Sequence, residues 1–190
     1  EEEAVALLGM VHAFRGSFKT SLEAWNDLEL LSRISRSTQG KHWMLGGKAL
    51  CEARAGRAER AIALFTALGK LIEKLADKAG HLQLADMGPL HASQDDFDSA
   101  LANVARILPI IEGPPAGSHV VQAYGSVSDT IVRAFVARAR PKAELEALLV
   151  RSTKAFAGFA RIFPLGRPGS LFYQGELHRM RGQARRAEQR

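Results

Sequence analysis

Leu8-Gly9-Met10-Val11-His12-Ala13-Phe14-Arg15-Gly16 decides the fold, because versions of it recur along the chain with helical segments between them. Near the far end, Gln174-Gly175-Glu176-Leu177-His178-Arg179-Met180-Arg181-Gly182 repeats its Gly-x-x-His-x-x-x-Gly skeleton, and Met87-Gly88-Pro89-Leu90-His91 keeps the Gly-x-x-His part. A weaker copy, Lys48 to Gly56, carries Ala49 for the first glycine and Glu52 for the histidine but keeps the closing glycine. Each copy reads as the first helix and turn of a helix hairpin. Tandem hairpins bury their apolar faces against their neighbours, so the recurrence predicts a helical array, more often a binding surface than a site of chemistry.

Working outward, apolar residues at helical spacing (Val5, Leu8, Val11) predict a helix to Phe14, and Gly16-Ser17 closes it and opens the next. Ser21, Leu22, Trp25 and Leu28 continue a second helix, and Ser35 to Gly40 reads as a loop by its turn chemistry. A second hairpin runs from about 41 to 78, its second helix marked by Ala61, Ile62, Phe65, Leu68, Ile72 and Leu75. The third, about 80 to 112, passes Gly88-Pro89, where a kink or a helix start is expected, and Asp95-Asp96 caps the helix of Phe97, Leu101, Val104, Ile107 and Leu108. Gly113-Pro114-Pro115 punctuates. A fourth hairpin, about 118 to 163, divides at Arg140-Pro141; after a loop from Phe163 to Ser170 a partial fifth spans about 168 to 190. Residues 183–190 parallel the stretch after Gly56, as if another second helix had begun. The 190 residues therefore read as one all-α repeat domain, an α-α superhelix of antiparallel hairpins. With no initiating Met at position 1 and an interrupted last hairpin, the expectation is a piece of a longer chain.

With 46% hydrophobic residues the chain can bury a substantial core, and 24% charged residues is ordinary for a folded domain. The one cysteine, Cys51, excludes an intrachain disulfide and a thiolate metal cluster, which fits a reducing, cytoplasmic setting. No apolar run approaches the roughly 18 residues of a membrane span, so no membrane partner is expected. The net charge of +6 is uneven: about −3 through Val132 and about +9 from Arg133 on. A solvated basic face is the plainest reading of that end, an acidic protein partner comes next, and nucleic acid is the least favoured.

The order Leu8-Gly9-x-x-His12, then Gly16, Ser21 and Trp25, resembles the tetratricopeptide pattern, and Ala61-x-x-x-Phe65 matches its second half. Histidines stand where that family has tyrosine, Trp25 stands for phenylalanine, and the copies are about 37 to 50 residues apart rather than 34. The resemblance implies that glycine lets paired helices approach and that an aromatic side chain plugs the gap between hairpins. A narrower stretch, Arg161-Ile162-Phe163-Pro164-Leu165-Gly166-Arg167-Pro168 into Leu171-Phe172-Tyr173-Gln174-Gly175, is similar to helical-repeat regions of large bacterial signalling proteins. There a signal-transducing ATPase module, often with a nucleotide cyclase or a Ser/Thr kinase domain, precedes the repeats. The resemblance implies a regulatory or partner-sensing role for this segment, as against two alternatives: membership of an ATP-binding enzyme whose catalytic residues lie elsewhere, or a stand-alone adaptor.

Candidate sites are few. His12, His91 and His178 at equivalent positions do not form a metal ladder, because neighbouring helices are about 10 Å apart whereas ligands lie near 2 Å from one ion; they read as packed side chains. Gly16-Ser17-Phe18-Lys19-Thr20 lacks the glycine and the preceding strand of a phosphate loop, and Asp95, Asp96 and Asp98 lack the rest of a calcium loop. Cys51 reads as a small buried residue. No catalytic residue, cofactor or metal is expected. Trp43, Phe172, Glu176 and Arg179 align, by the resemblance, with positions that face the groove of such arrays. They are the expected contacts for a protein or peptide partner, or for an adjoining domain of the same chain.

Overall fold

A computed structural model describes residues 1–75 and 80–183. Among them all regular structure is helical: α1 (Glu2–Phe14), α2 (Phe18–Ser35), α3 (Thr38–Arg54), α4 (Ala58–Leu75), α5 (Met87–Ala92), α6 (Phe97–Ile111), α7 (Val121–Val136), α8 (Lys142–Ile162) and α9 (Arg167–Met180), with 3-10 segments at Gly80–Asp86, Ser118–Val120 and Pro164–Gly166. The chain divides into two compact units, Glu1–Asp77 and Lys78–Arg190. The predicted helix after Gln183 lies outside the described residues.

One turn is used six times among the described residues. It joins α2 to α3 at Arg36 (φ 56°, Ser37 N–H to the Ser32 carbonyl at 3.0 Å), and it follows the first helix of a hairpin five times: Gly16, Gly56, Asp95, Arg138 and Gly182 all adopt the left-handed conformation, with φ between 56° and 75°. The N–H after each donates to the carbonyl five residues back: Ser17 to His12, Arg57 to Glu52, Asp96 to His91, Ala139 to Ala134 and Gln183 to His178, at 2.9–3.0 Å. This closure satisfies carbonyls that a helix end leaves open. Three of the five positions are the glycines the sequence pattern picks out. Asp95 and Arg138 carry the same backbone without glycine, which is why the copy in the fourth hairpin is invisible in sequence.

The turns put the second helices in a common register. Ser21, Trp25, Leu28 and Ser32 of α2, Ala61, Phe65, Leu68 and Ile72 of α4, and Ala100, Val104, Ile107 and Ile111 of α6 are all buried, each set starting five residues after its left-handed residue. In α8, which begins later because Pro141 caps it, the set is Leu145, Leu149, Ser152 and Phe156. The three- and four-residue steps are those of one helical face.

Three expectations are corrected. The Ser35 to Gly40 loop is only Arg36-Ser37: α2 runs to Ser35, Arg36 turns left-handed, and the Ser37 hydroxyl accepts from the Gly40 N–H to start α3. Residues rich in turn chemistry cap a helix here instead of prolonging a loop. The Phe163 to Ser170 loop is likewise short, because Pro164 opens a 3-10 turn and Pro168 sits in the first turn of α9, where its missing N–H costs nothing. In α1 the buried side is Ala6 and Gly9, while Leu8 and Val11, the residues that set its periodicity, are 51% and 44% exposed. At Gly88-Pro89 the expected helix start is observed, since the 3-10 segment Gly80–Asp86 gives way to α5 at Met87.

In the first unit the Trp25 indole is wedged between α1 and α3. A Cβ on Gly9 would come within 2.7 Å of it, and a Cβ on Gly47 would overlap it. Its Nε1 donates to Ser21 Oγ (3.0 Å), Ser21 Oγ donates to the Gly9 carbonyl (2.7 Å), and Cys51 Sγ is 3.1 Å from the same hydroxyl. Ser21 thus satisfies the one polar atom of a ring that is 3% exposed.

In the second unit Gly88 lies against Thr130 Oγ1 and Asn103. Asn103 donates to the Leu84 and Ala85 carbonyls (3.0 and 3.2 Å), pairing groups that the 3-10 segment leaves open. Between α7 and α8, Ser128 and Ser152 share a buried 2.6 Å hydrogen bond, and Tyr124 packs on Phe159 and Phe156 with centroids 4.6 and 5.5 Å apart. Gly166 and Gly169 face Phe159 and Phe156 so closely that a Cβ on either would sit 2.7 Å from a ring. The Pro-Leu-Gly-Arg-Pro-Gly stretch is therefore the close approach of α9 to α8.

Candidate partner-contact surface

Phe172, Glu176 and Arg179 share one face of α9, where steps of four and three residues stack them. Phe172 is 60% exposed, and its ring meets Tyr173 edge-on at 5.0 Å. Tyr173 lies 6.3 Å from Phe156, so rings run from this exposed side chain into the aromatic core of the second unit. Arg179 Nε donates to Glu176 Oε2 at 3.0 Å, and its terminal nitrogen bonds the same oxygen. Glu176 holds the guanidinium in its charged form and presets the pair on the helix surface. Trp43 is half-buried on α3 of the first unit. Counted back from Gly56, it falls on the same helical face that Phe172, Glu176 and Arg179 occupy counted back from Gly182.

This face has a counterpart in other first helices. The position of Phe172 is Ala6 in α1, Ala85 in the 3-10 segment and Ser128 in α7, all buried and all small. Only in α9, among these, is it large and exposed.

The histidines do something the sequence reading missed. His91 Nδ1 lies 3.1 Å from Asp96 Oδ2, and His178 Nδ1 is 2.8 Å from Gln183 Oε1. Glu52 pairs with Arg57 across the equivalent turn. The side chain four residues before the left-handed residue thus clasps the one just after it. The signal was available in sequence as the paired identities Glu52/Arg57, His91/Asp96 and His178/Gln183, but it is meaningful only once the turn geometry places both on one side. Among the described residues no group of three His, Cys, Asp or Glu side chains could hold a metal ion.

The acidic cluster also disperses. Asp95 takes the left-handed turn, Asp96 accepts from the Ser99 N–H (3.1 Å), and Asp98 pairs with Arg140 at 2.6 Å. Those bonds from Ser99, together with His91, lower the Asp96 pKa. Cys51 is fully buried, and burial pushes its thiol pKa up, away from reactivity. In the basic part of the chain, Arg133, Arg140, Arg151, Arg179 and Arg181 all sit in ion pairs with carboxylates, which leaves less free positive charge for a phosphate backbone. No helix among the described residues is long and apolar enough to cross a membrane.

A scan of the chain against protein-family models finds no match, and a search of curated proteins finds none either.

Proposed function

We propose that this chain is a non-catalytic protein-interaction segment built of tetratricopeptide-like helix hairpins. The observation that supports it best is the recurrence of one left-handed turn at residues 16, 56, 95, 138 and 182, with buried second-helix faces in matching register. Repeated units of this kind present like faces side by side, and recognition of a protein or peptide comes from shape with a few aromatic and arginine anchors. In this reading Trp43, Phe172, Glu176 and Arg179 make the contacts, and the ready-made Glu176–Arg179 pair gives the surface a fixed polar mark beside an exposed ring. The partner is a protein, a peptide or an adjoining domain of the same chain. The reading carries no reaction, cofactor or metal.

The likeness of Arg161 to Gly175 to repeat regions of bacterial signalling proteins extends the proposal. The segment then works in the cytoplasm as the regulatory part of a larger protein, biasing an ATPase, cyclase or kinase module when its partner binds. Sequencing the reading frame on both sides tests that extension, and a frame without such a module would remove it.

The contact residues are tested with a photo-crosslinking residue placed, in separate variants, at Phe172, at Trp43 and, as a control, at Glu59. Capture of one protein partner from Phe172 and Trp43 positions, lost on Arg179→Glu, is the expected result. The same unselective capture from Phe172 and Glu59 would sink the assignment of this face.

A further inference from the structure

The geometry points to a peripheral lipid contact: the outer side of α8 and the turn that follows it rest on an anionic membrane surface. From Ala147 to Gly175 the chain has no Asp or Glu, yet it has Arg151, Lys154, Arg161 and Arg167. The surface of α8 shows the consequence. Between Ala147 and Ile162 every residue that is not buried is alanine, glycine, a larger aliphatic or a cation. Glu112 comes close to this helix, but Arg151 takes up both its oxygens, at 2.8 and 2.7 Å. Lys154, Arg161 and Arg167 form no ion pair among the described residues.

This side is open because of how α8 is packed. α7 and α9 lie against the helix and α6 touches it, and the face in question is opposite the buried Leu145, Leu149, Ser152 and Phe156. In the first unit α2 is held in the same way between α1 and α3 and also leaves an outer side exposed. There Glu23, Asn26 and Asp27 make it an ordinary solvated face. On α8 such groups are missing beyond the first turn.

Toward the end of α8 the face becomes more apolar. Ile162 and Leu165 are 60% and 55% exposed on either side of Pro164, with Arg161 and Arg167 flanking them. Lys154 and Arg161 stand two turns apart on one side of the helix. Their long side chains can reach lipid phosphates while Ile162 and Leu165 enter the acyl boundary. Short side chains in a row give a protein partner little to grip, and Ile162 and Leu165 add nothing to contact with a nucleic-acid backbone. A fluid interface needs no matching shape, only apolar groups to enter it and cations level with its phosphates. Contact of this kind requires no helix long enough to span the bilayer.

Co-sedimentation of the 190-residue chain with vesicles tests this, comparing phosphatidylcholine alone with its equal mixture with phosphatidylglycerol. Binding to the mixed vesicles at low salt, absent on phosphatidylcholine and weakened by added salt, is expected. Lys154→Glu with Arg161→Glu should lower it by about tenfold or more, and Ile162→Ser with Leu165→Ser by about fivefold or more, at unchanged helicity by circular dichroism. If either pair lowers helicity, an environment-sensitive dye supplies the readout. Attached at Ile162→Cys it should shift blue on the mixed vesicles, and at Val136→Cys, beside the start of α8, it should not; the native Cys51 is buried. A chain that ignores the mixed vesicles overturns the proposal and leaves the face to an acidic protein. Binding that both double variants leave unchanged, or an equal shift at the two dye positions, overturns it too by placing the lipid contact elsewhere. Binding that depends on Lys154 and Arg161 but is indifferent to Ile162 and Leu165 excludes the turn from the contact.

Discussion

At residue scale the decisive details are the absence of a side chain at Gly9 and Gly47 and the backbone of the turns. Trp25 occupies the gap those glycines leave, so Gly47→Ala forces a methyl into the indole and should destabilise the protein by about 1–3 kcal/mol, measured by urea unfolding. An unchanged midpoint would mean that the ring moves aside at no cost. The turns give an opposite expectation. Arg138 holds φ 56° where three of its counterparts are glycine, and a side chain in that region costs about 1–2 kcal/mol. Arg138→Gly is therefore expected to raise stability by about 1 kcal/mol, less whatever the more flexible unfolded chain takes back. Gly16→Ala, which adds a side chain at the same backbone with no atom within 4 Å, should lower it through conformation alone.

At the scale of elements, the α2–α3 contact combines the Trp25 wedge with one charged pair, Glu29 with Lys48. The Lys48 hydrogen bond, with Arg33 adding to it, lowers the Glu29 pKa against the opposing effect of burial. Because the folded-state value lies below the unfolded one, this stabilisation is complete above the ordinary carboxylate pKa. It disappears as pH falls through the lowered folded value. Glu29→Gln should cost about 0.2–1 kcal/mol at neutral pH, and the difference from the parent should close progressively in acid. Denaturation at several pH values reads this directly, and a gap that persists in acid would assign the loss to packing instead of charge. Short connections follow the same element logic. Ser37 and Pro168 lie in what reads as loop, yet each starts a helix, because capping and first-turn positions use the very residues that mark turns.

For the whole molecule, each compact unit has buried side chains of its own: Leu28, Phe65, Leu68 and Ile72 in the first, Tyr124, Ile131, Leu145 and Phe159 in the second. Residues 1–77 and 78–190 expressed separately should each give a helical spectrum and a cooperative thermal transition; a half that is unfolded alone would show that its own core is insufficient. Helix content and most helix borders were legible in the chain, because apolar residues at three- and four-residue steps and glycines at helix ends are local signals. Trp25, Phe65, Leu68 and Ile72 were readable as core for that reason. The break between α7 and α8 was readable at Arg140-Pro141, but the left-handed turn at Arg138 was not, since no glycine marks it. Nor could periodicity choose between the two sides of α1, where Leu8 and Val11 satisfy the helical pattern as well as Ala6 and Gly9 do. Of the proposed contact residues, sequence could place Phe172, Glu176 and Arg179 on one helical face, since that follows from their spacing. Only the packed structure decided that Phe172 is exposed, that Glu176 and Arg179 are joined, and that small Ala6 and Gly9 are the buried side of α1. Burial depends on which helix comes to lie against which, and that is set by distant residues such as Gly47 and Trp25 meeting across the fold.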